Sequence, residues 1–467
     1  MSRRLNFWLP PAAALAFYLL SSNIALGSDG RATLSVALVM AGWWLGEALP
    51  LAATALVPLA AFPLFGILPA SKAAAPYAHK LIFLFLGGFL IAAAMERWNL
   101  HRRLALETLA RVGDRPARIV AAFMGVTAFL SLWVSNTATA LMMLSIATSV
   151  VAVAGERENF GVCLVLGIAY AASIGGMGSL VGTPPNALLA AFVEQRGTDA
   201  VSFSAWLSFG LPVAVVLLPT CWWLLTRWVF PLDGAPLSGG RELFESERRA
   251  LGPLGPAERR VLAVFSTVAA AWCFRPLLQR AWPAGLGGLD DSVIAIAGAL
   301  ALFALPSGEK SGGAVLDWKS AESIPWGVLI LFGGGLSLAA AVSQTGVSEF
   351  VGALFSGLRG THPAILVLLV TWMVVFLTEV TSNTAVTAAF LPVFAAVADG
   401  AGVAPMSLLL PTALGASCAF MMPVATPPNA IVFASGLVTM RQMFRAGFWL
   451  NLISIAVIAS WTMLRTG

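Results

Sequence analysis

Charge is scarce in this sequence: 27 basic and 22 acidic residues make up 10% of 467, where a soluble globular domain carries roughly 25%. So few charges cannot cover a water-soluble protein of this length. The 59% hydrophobic content and mean hydropathy of +0.87 require lipid as solvent. Cysteine is nearly absent too. Cys163, Cys221, Cys273 and Cys418 lie far apart in apolar stretches, which excludes a disulfide framework and a cysteine-type zinc site. His79, His101 and His362 are equally scattered and form no metal cluster. The net charge of +5 is small and spread over loops, so it offers nucleic acid no concentrated basic surface. The chain is expected to be an all-α polytopic membrane protein.

What the sequence has instead is apolar runs. Ser2-Arg3-Arg4 precedes a run from Phe7 to Leu26, long enough to cross a bilayer and longer than the core of a cleaved signal. We read 1–28 as the first transmembrane helix. Further runs fall near 32–46, 50–68, 80–95, 119–153, 161–193, 203–230, 257–279, 289–305, 324–342, 363–397, 405–437 and 443–464. Two of them, 119–153 and 363–397, exceed one crossing, and each is interrupted by the same triplet: Ser135-Asn136-Thr137 and Ser382-Asn383-Thr384. Long, centrally broken apolar segments suit re-entrant hairpins, expected here over about 116–153 and about 362–398. Counting these apart leaves about 11 transmembrane helices. That odd number, with a cytoplasmic N-terminus, puts the C-terminus outside. The arrangement places 19 of the 27 basic residues in the cytoplasm, among them Arg3, Arg4, Arg102, Arg103, Arg115 and Lys310, as the positive-inside rule expects. These arginine clusters read as solvated loop ends. The stretch 232–256, rich in Gly, Pro and charge, is the one substantial linker.

An internal repeat divides the rest into 29–231 and 257–467. Asn136 and Asn383 are 247 residues apart, and the same offset lays Leu84-Phe85-Leu86-Gly87-Gly88 on Leu331-Phe332-Gly333-Gly334-Gly335 and Ser131 on Thr378. Downstream, Gly182-Thr183-Pro184-Pro185-Asn186-Ala187 recurs as Ala425-Thr426-Pro427-Pro428-Asn429-Ala430. Residues 96–118 carry six Arg, whereas the equivalent 343–365 carry only Arg359. By the positive-inside rule the two copies are inverted. Inverted repeats with broken helices are the signature of secondary transporters.

The motifs carry their own chemistry. Proline at a helix start gives up no hydrogen bond, and a preceding threonine caps it. Each Ser-Asn-Thr tip likewise caps a returning half-helix, and the Ser173-to-Gly178 run breaks an earlier one. Four half-helix N-termini converging on one cavity suit an anion, particularly a carboxylate. Freed carbonyls with Ser, Thr and Asn oxygens suit a small hard cation beside it. No Lys or Arg falls at the centre of any expected span. A dianion there needs co-bound cations, since uncompensated charge in low dielectric is very costly. Glu379, the one carboxylate at a hairpin, either neighbours a cation or is a paired structural acid. Close helix packing explains the Gly-Gly pairs, and the 16 Trp read as interfacial anchors and core packing.

At these residues the chain resembles the divalent anion:sodium symporter family of bacterial dicarboxylate transporters and animal sodium-coupled di- and tricarboxylate carriers. The resemblance rests on both Ser-Asn-Thr triplets, Thr378-Glu379-Val380-Thr381, Ala171-Ala172-Ser173-Ile174-Gly175-Gly176 and both Thr-Pro-Pro-Asn segments. Trp44-x-x-Glu47-x-x-Pro50-x-x-x-Thr54 is similar to the family's early signature. It implies a homodimer whose protomers each hold a scaffold, built from the early helices of each half. It further implies a mobile transport domain, built from the hairpins plus about 160–231 and 405–465, that moves as an elevator. Family substrate contacts map onto Ser135, Asn136, Thr137, Thr183, Ser382, Asn383, Thr384, Thr426 and Pro427. A first sodium site maps onto Ser131, Ser135, Asn136 and Gly182, and a second onto Thr378, Thr381, Asn383 and Ala425.

The expected function is sodium-coupled symport of C4-dicarboxylates such as succinate, fumarate or malate across a bacterial inner membrane. There is no cofactor beyond sodium as coupling ion. A sodium-independent dicarboxylate exchanger of the same fold is the alternative, ahead of citrate or sulfate transport. An enzyme would need clustered acids, His or a nucleophile pair at membrane depth, and none is visible.

Overall fold

The computed structural model describes residues 3–155, 157–197, 201–237, 240–309 and 312–466, which leaves Lys310 outside the described residues. Among them every regular element is helical; extended chain pairs at a single bridge, between Pro306 and Ala314. The principal helices are α1 (Arg3–Leu20), α2 (Ser28–Leu45), α3 (Lys80–Arg97), α4 (Pro116–Ser131), α5 (Asn136–Ala154), α6 (Glu158–Met177), α7 (Pro184–Gln195) and α8 (Phe203–Trp223). They continue with α9 (Pro256–Ala281), α10 (Asp291–Ala304), α11 (Trp326–Gln344), α12 (Pro363–Leu377), α13 (Asn383–Ala401), α14 (Met406–Ala416), α15 (Pro427–Ala434) and α16 (Met440–Thr466). Among the described residues, eight helices are long and apolar enough to cross a membrane, those over 70–97, 136–154, 158–177, 203–229, 256–281, 326–344, 383–401 and 440–466. Shorter apolar helices accompany them, including α4, α10, α12 and α14.

The two overlong runs divide where their triplets stand. With 16 residues in α4 and 15 in α12, each is about 22–24 Å long at 1.5 Å per residue, short of the ~30 Å hydrocarbon core. The run 161–193 divides likewise, into α6 and α7. The first helix runs through Ser173-Ile174-Gly175-Gly176 and stops only at Met177, and Pro184 restarts the chain. The 50–68 run is also divided, into Leu51–Thr54 and Val57–Leu64.

The two copies pack alike and interlock. α6 lies on α4, and α14 lies on α12; across the copies, α6 also meets α15 and α7 meets α14. A helix apolar all round belongs in a core, and α6 is buried continuously from Phe160 to Met177. Gly175 permits its approach to α4: a Cβ there would stand 2.3 Å from the Ala128 carbonyl oxygen.

The Gly-Gly pairs divide between two duties. A Cβ on Gly87 would stand 2.5 Å from the Ala295 carbonyl carbon on α10, and one on Gly334 of α11 would stand 2.4 Å from the Ala55 carbonyl oxygen. Their neighbours Gly88 and Gly335 have 3.7 Å and 3.5 Å of room, and Gly88 lines a cavity together with both Ser-Asn-Thr triplets. Gly87→Ala and Gly334→Ala are therefore expected to destabilise by about 1–3 kcal/mol each through overpacking. Gly88→Ala is expected to leave the melting temperature in detergent near wild type. Equal shifts for Gly87→Ala and Gly88→Ala would refute this division.

One arginine departs from the reading of solvated loop ends. Arg103 is 8% exposed. It pairs with Glu258 at 2.8 Å and donates to the carbonyls of Gly252 (2.9 Å) and Leu251 (3.0 Å). Its planar fork of donors can serve a carboxylate and several carbonyls together. The linker is thereby tied down, and it contains a helix of its own, Gly240–Ala250.

Candidate functional site

Four helices begin at one place. Asn136, Pro184, Asn383 and Pro427, the first residues of α5, α7, α13 and α15, all line a single cavity of about 560 Å³. The remaining residues expected at the substrate line it too: Ser135, Thr137, Thr183, Ser382, Thr384 and Thr426. So do Gly182 and Ala425. Each N-terminus presents backbone N–H groups without intrahelical acceptors and the positive end of a helix dipole.

Capping differs between the copies. Ser135 Oγ accepts from the Ala138 N–H at 3.2 Å, whereas Ser382 makes no side-chain cap. Thr426 Oγ1 accepts from the Asn429 N–H at 3.3 Å, whereas Thr183 makes none. The expectation that all four hydroxyls cap thus holds at two of them. Pro184 and Asn383 start their helices without a hydroxyl cap, whereas Pro427 and Asn136 start theirs with one.

Ser131, Thr378 and Thr381 are buried behind the cavity rather than lining it. Two of them meet the tips through the same contact in both copies. Ser131 Oγ lies 2.5 Å from Asn136 Oδ1 and 2.7 Å from the Ala172 carbonyl oxygen. Thr378 Oγ1 lies 2.7 Å from Asn383 Oδ1 and 2.9 Å from the Ala416 carbonyl oxygen. Each copy thus gathers a hydroxyl, an amide oxygen and a backbone carbonyl at a helix break. Such a neutral, hard oxygen set fits a sodium ion. Among the described residues no group of three His, Cys, Asp or Glu is placed to hold a metal. Thr381 stands apart: its hydroxyl donates to the Leu377 carbonyl at 2.8 Å.

Glu379 is 3% exposed and fully engaged. Its Oε1 accepts from the N–H groups of Phe420 (2.7 Å) and Met421 (2.9 Å) and from Asn451 Nδ2 (2.6 Å); its Oε2 accepts from Met422 N–H at 3.0 Å. Successive backbone N–H groups form an anion-binding nest. Of the two roles open to this acid, these contacts favour the structural one.

The cavity wall also includes residues that motif spacing did not select. No Lys, Arg or His lines it among the described residues, and Glu47 is its one ionisable side chain. Glu47 holds a left-handed backbone, φ 46°, a conformation costly for a residue with a Cβ. Its place in the early signature was its only sequence signal. Trp133 departs from the reading of tryptophans as anchors and core. It lines the cavity, stacks on Phe203 (ring centroids 5.8 Å apart) and meets Phe265 edge-on at 5.2 Å. Its position two residues before Ser135 was the available clue.

The family model described as the sodium:sulfate symporter transmembrane region matches residues 3–465. A protein of Staphylococcus saprophyticus named sodium-dependent dicarboxylate transporter SdcS is 40% identical over 444 residues, covering 93% of this chain and 85% of that protein. The SdcS of Staphylococcus aureus strain RF122 is 40% identical over 441 residues, covering 92% and 85%. Among solved structures, the Alcanivorax borkumensis YdaH transporter superposes with a TM-score of 0.60 at 13% identity, covering 84% of this chain and 86% of that one. MtrF of Neisseria gonorrhoeae, described with a class of antimetabolite efflux pumps, gives 0.56 at 15% identity, covering 84% and 83%. At such identities these two show the fold alone. The match across nearly the whole chain and the 40% identity place this protein in the divalent anion:sodium symporter family, as one of its integral membrane transporters.

Proposed function

We propose that this protein carries C4-dicarboxylates such as succinate, fumarate and malate across a bacterial inner membrane by sodium-coupled symport. The carrying observation is the cavity in which four helix N-termini meet without one basic side chain among the described residues. Helix N-termini attract a carboxylate, but a dianion in low dielectric needs more compensation than partial charges give. Sodium ions supply it. Ser135, Asn136, Thr137, Thr183, Ser382, Asn383, Thr384, Thr426 and Pro427 hold the dianion. Ser131, Ser135, Asn136 and Gly182 hold one sodium; Thr378, Thr381, Asn383 and Ala425 hold the other. The relatives named sodium-dependent dicarboxylate transporters support this reading of cargo and coupling ion.

The same proposal includes two inverted repeats, 29–231 and 257–467, each with a re-entrant hairpin. A homodimeric scaffold supports transport domains that move as elevators, with the N-terminus cytoplasmic and the C-terminus outside. The six-to-one contrast in Arg between 96–118 and 343–365 supports the inversion.

Radiolabelled succinate uptake into empty proteoliposomes, under an inward sodium gradient against a potassium control, tests the function. Sodium-dependent accumulation is expected. Flux only with succinate preloaded inside, indifferent to sodium, would make the protein an exchanger. No succinate flux under either condition would remove this cargo and direct the assay to citrate or sulfate.

A further inference from the structure

Both Thr-Pro-Pro-Asn segments end in an asparagine that the cavity does not use. Asn186 and Asn429 are fully buried, 0% exposed. Asn186 Nδ2 donates to the carbonyl oxygens of Gly176 (3.1 Å) and Ser179 (2.7 Å). Asn429 Nδ2 donates to those of Ala419 (2.9 Å) and Met422 (3.0 Å). In both copies the acceptors stand ten and seven residues upstream, so one clamp is built twice on different sequence. Among the described residues Oδ1 of each asparagine has no hydrogen-bond partner. The donating NH₂ group, rather than the amide oxygen, makes the contacts.

The clamp touches the groups given to sodium. Ser179 O, held by Asn186, also accepts from the Gly182 N–H at 3.4 Å; Met422 O, held by Asn429, accepts from the Ala425 N–H at 3.2 Å. Gly182 and Ala425 are the backbone members of the two proposed sodium sites. In the first copy the link extends to the tip. A Cβ on Gly176 would stand 2.6 Å from Asn136 Oδ1, and one on Gly182 would stand 2.4 Å from the Gly176 carbonyl oxygen. Gly176 therefore lies between Asn136 and Gly182, with its carbonyl fixed by Asn186.

We infer that Asn186 and Asn429 are paired positioning residues for the two sodium sites, each fixing the helix-break turn that presents Gly182 or Ala425 to the ion. The inference rests on the sodium assignment proposed above. It deepens that assignment by giving each site a supporting side chain outside the ligand set. Groups that orient first ligands typically change metal affinity 10–100-fold when lost. Aspartate has the shape of asparagine but turns the donor into an acceptor facing two carbonyl oxygens.

The test is sodium titration of the melting temperature of purified wild type, Asn186→Asp and Asn429→Asp, since an ion that binds only the folded state raises that temperature. Succinate uptake across a sodium series accompanies it. Each variant is expected to need about 10–100-fold more sodium for half-maximal stabilisation, with the sodium half-saturation of uptake moving in parallel and succinate half-saturation at the highest sodium unchanged. Asn186→Ser and Asn429→Ser, which keep a short donor, are expected to fall between and decide the matter where an Asp variant fails to fold. Variants that melt lower without sodium yet keep the wild-type sodium dependence would overturn the inference. Wild-type protein that sodium neither stabilises nor drives would overturn the sodium assignment itself, and the inference with it.

Discussion

Asn136→Ala and Asn383→Ala are each expected to abolish sodium-dependent succinate uptake while leaving a folded protein. Each asparagine starts a helix at the cavity and also receives a hydroxyl from behind, Ser131 at 2.5 Å or Thr378 at 2.7 Å. The side chain therefore stands where proposed substrate and proposed ion meet. Loss of a group that merely orients a metal ligand already costs 10–100-fold in affinity, so uptake should drop at least about a hundredfold when the shared group goes. The fold loses far less. Ser131 and Thr378 retain second acceptors in the Ala172 and Ala416 carbonyls, so the lost hydrogen bond costs about 1 kcal/mol. Uptake, the size-exclusion profile and the melting temperature together check this. Near-normal uptake by both variants would remove the two tips from the transport site.

That both tips belong to one cavity was legible only because the sequence repeats itself. A single Ser-Asn-Thr in an apolar run is an ordinary polar interruption. The second copy at a fixed offset, and the proline-started helices after each, marked four helix starts, and all four line the cavity. What spacing could not show was which elements come from elsewhere to close the wall. Glu47 lies 88 residues before Ser135, and its side chain reaches the cavity through a left-handed backbone that no periodicity encodes. Arg103 was equally opaque. Its cluster of neighbouring arginines reads as solvated, yet its partners Glu258, Gly252 and Leu251 are about 150 residues away and only folding brings them together. Capping chemistry was half legible: Thr183 and Thr426 share one backbone conformation, as do Ser135 and Ser382, yet only one hydroxyl of each pair caps.

Glu379→Ala is expected to cost more stability than any substitution at the cavity. The acid has no counterpart in the first copy, where the 247-residue offset places Leu132. There the chain between α6 and α7 spans only 178–183, and Ser179 Oγ bonds the Leu132 carbonyl. In the second copy the chain between α14 and α15 spans 417–426, and the N–H groups of Phe420, Met421 and Met422 point at Glu379. The longer break leaves three successive donors inside the protein, and one carboxylate takes them together with Asn451. A buried donor left unsatisfied costs about 1–3 kcal/mol, and this substitution takes the acceptor from three backbone N–H groups and the Asn451 amide together. Glu379→Ala should therefore give little monodisperse protein and a strongly lowered melting temperature, independent of sodium. Glu379→Gln retains one acceptor oxygen and should fall between. An acid serving the cation instead predicts the opposite pattern: a stable Glu379→Ala protein whose sodium dependence alone is displaced. With both carboxylate oxygens already occupied by backbone and amide donors, the first pattern is the expected one.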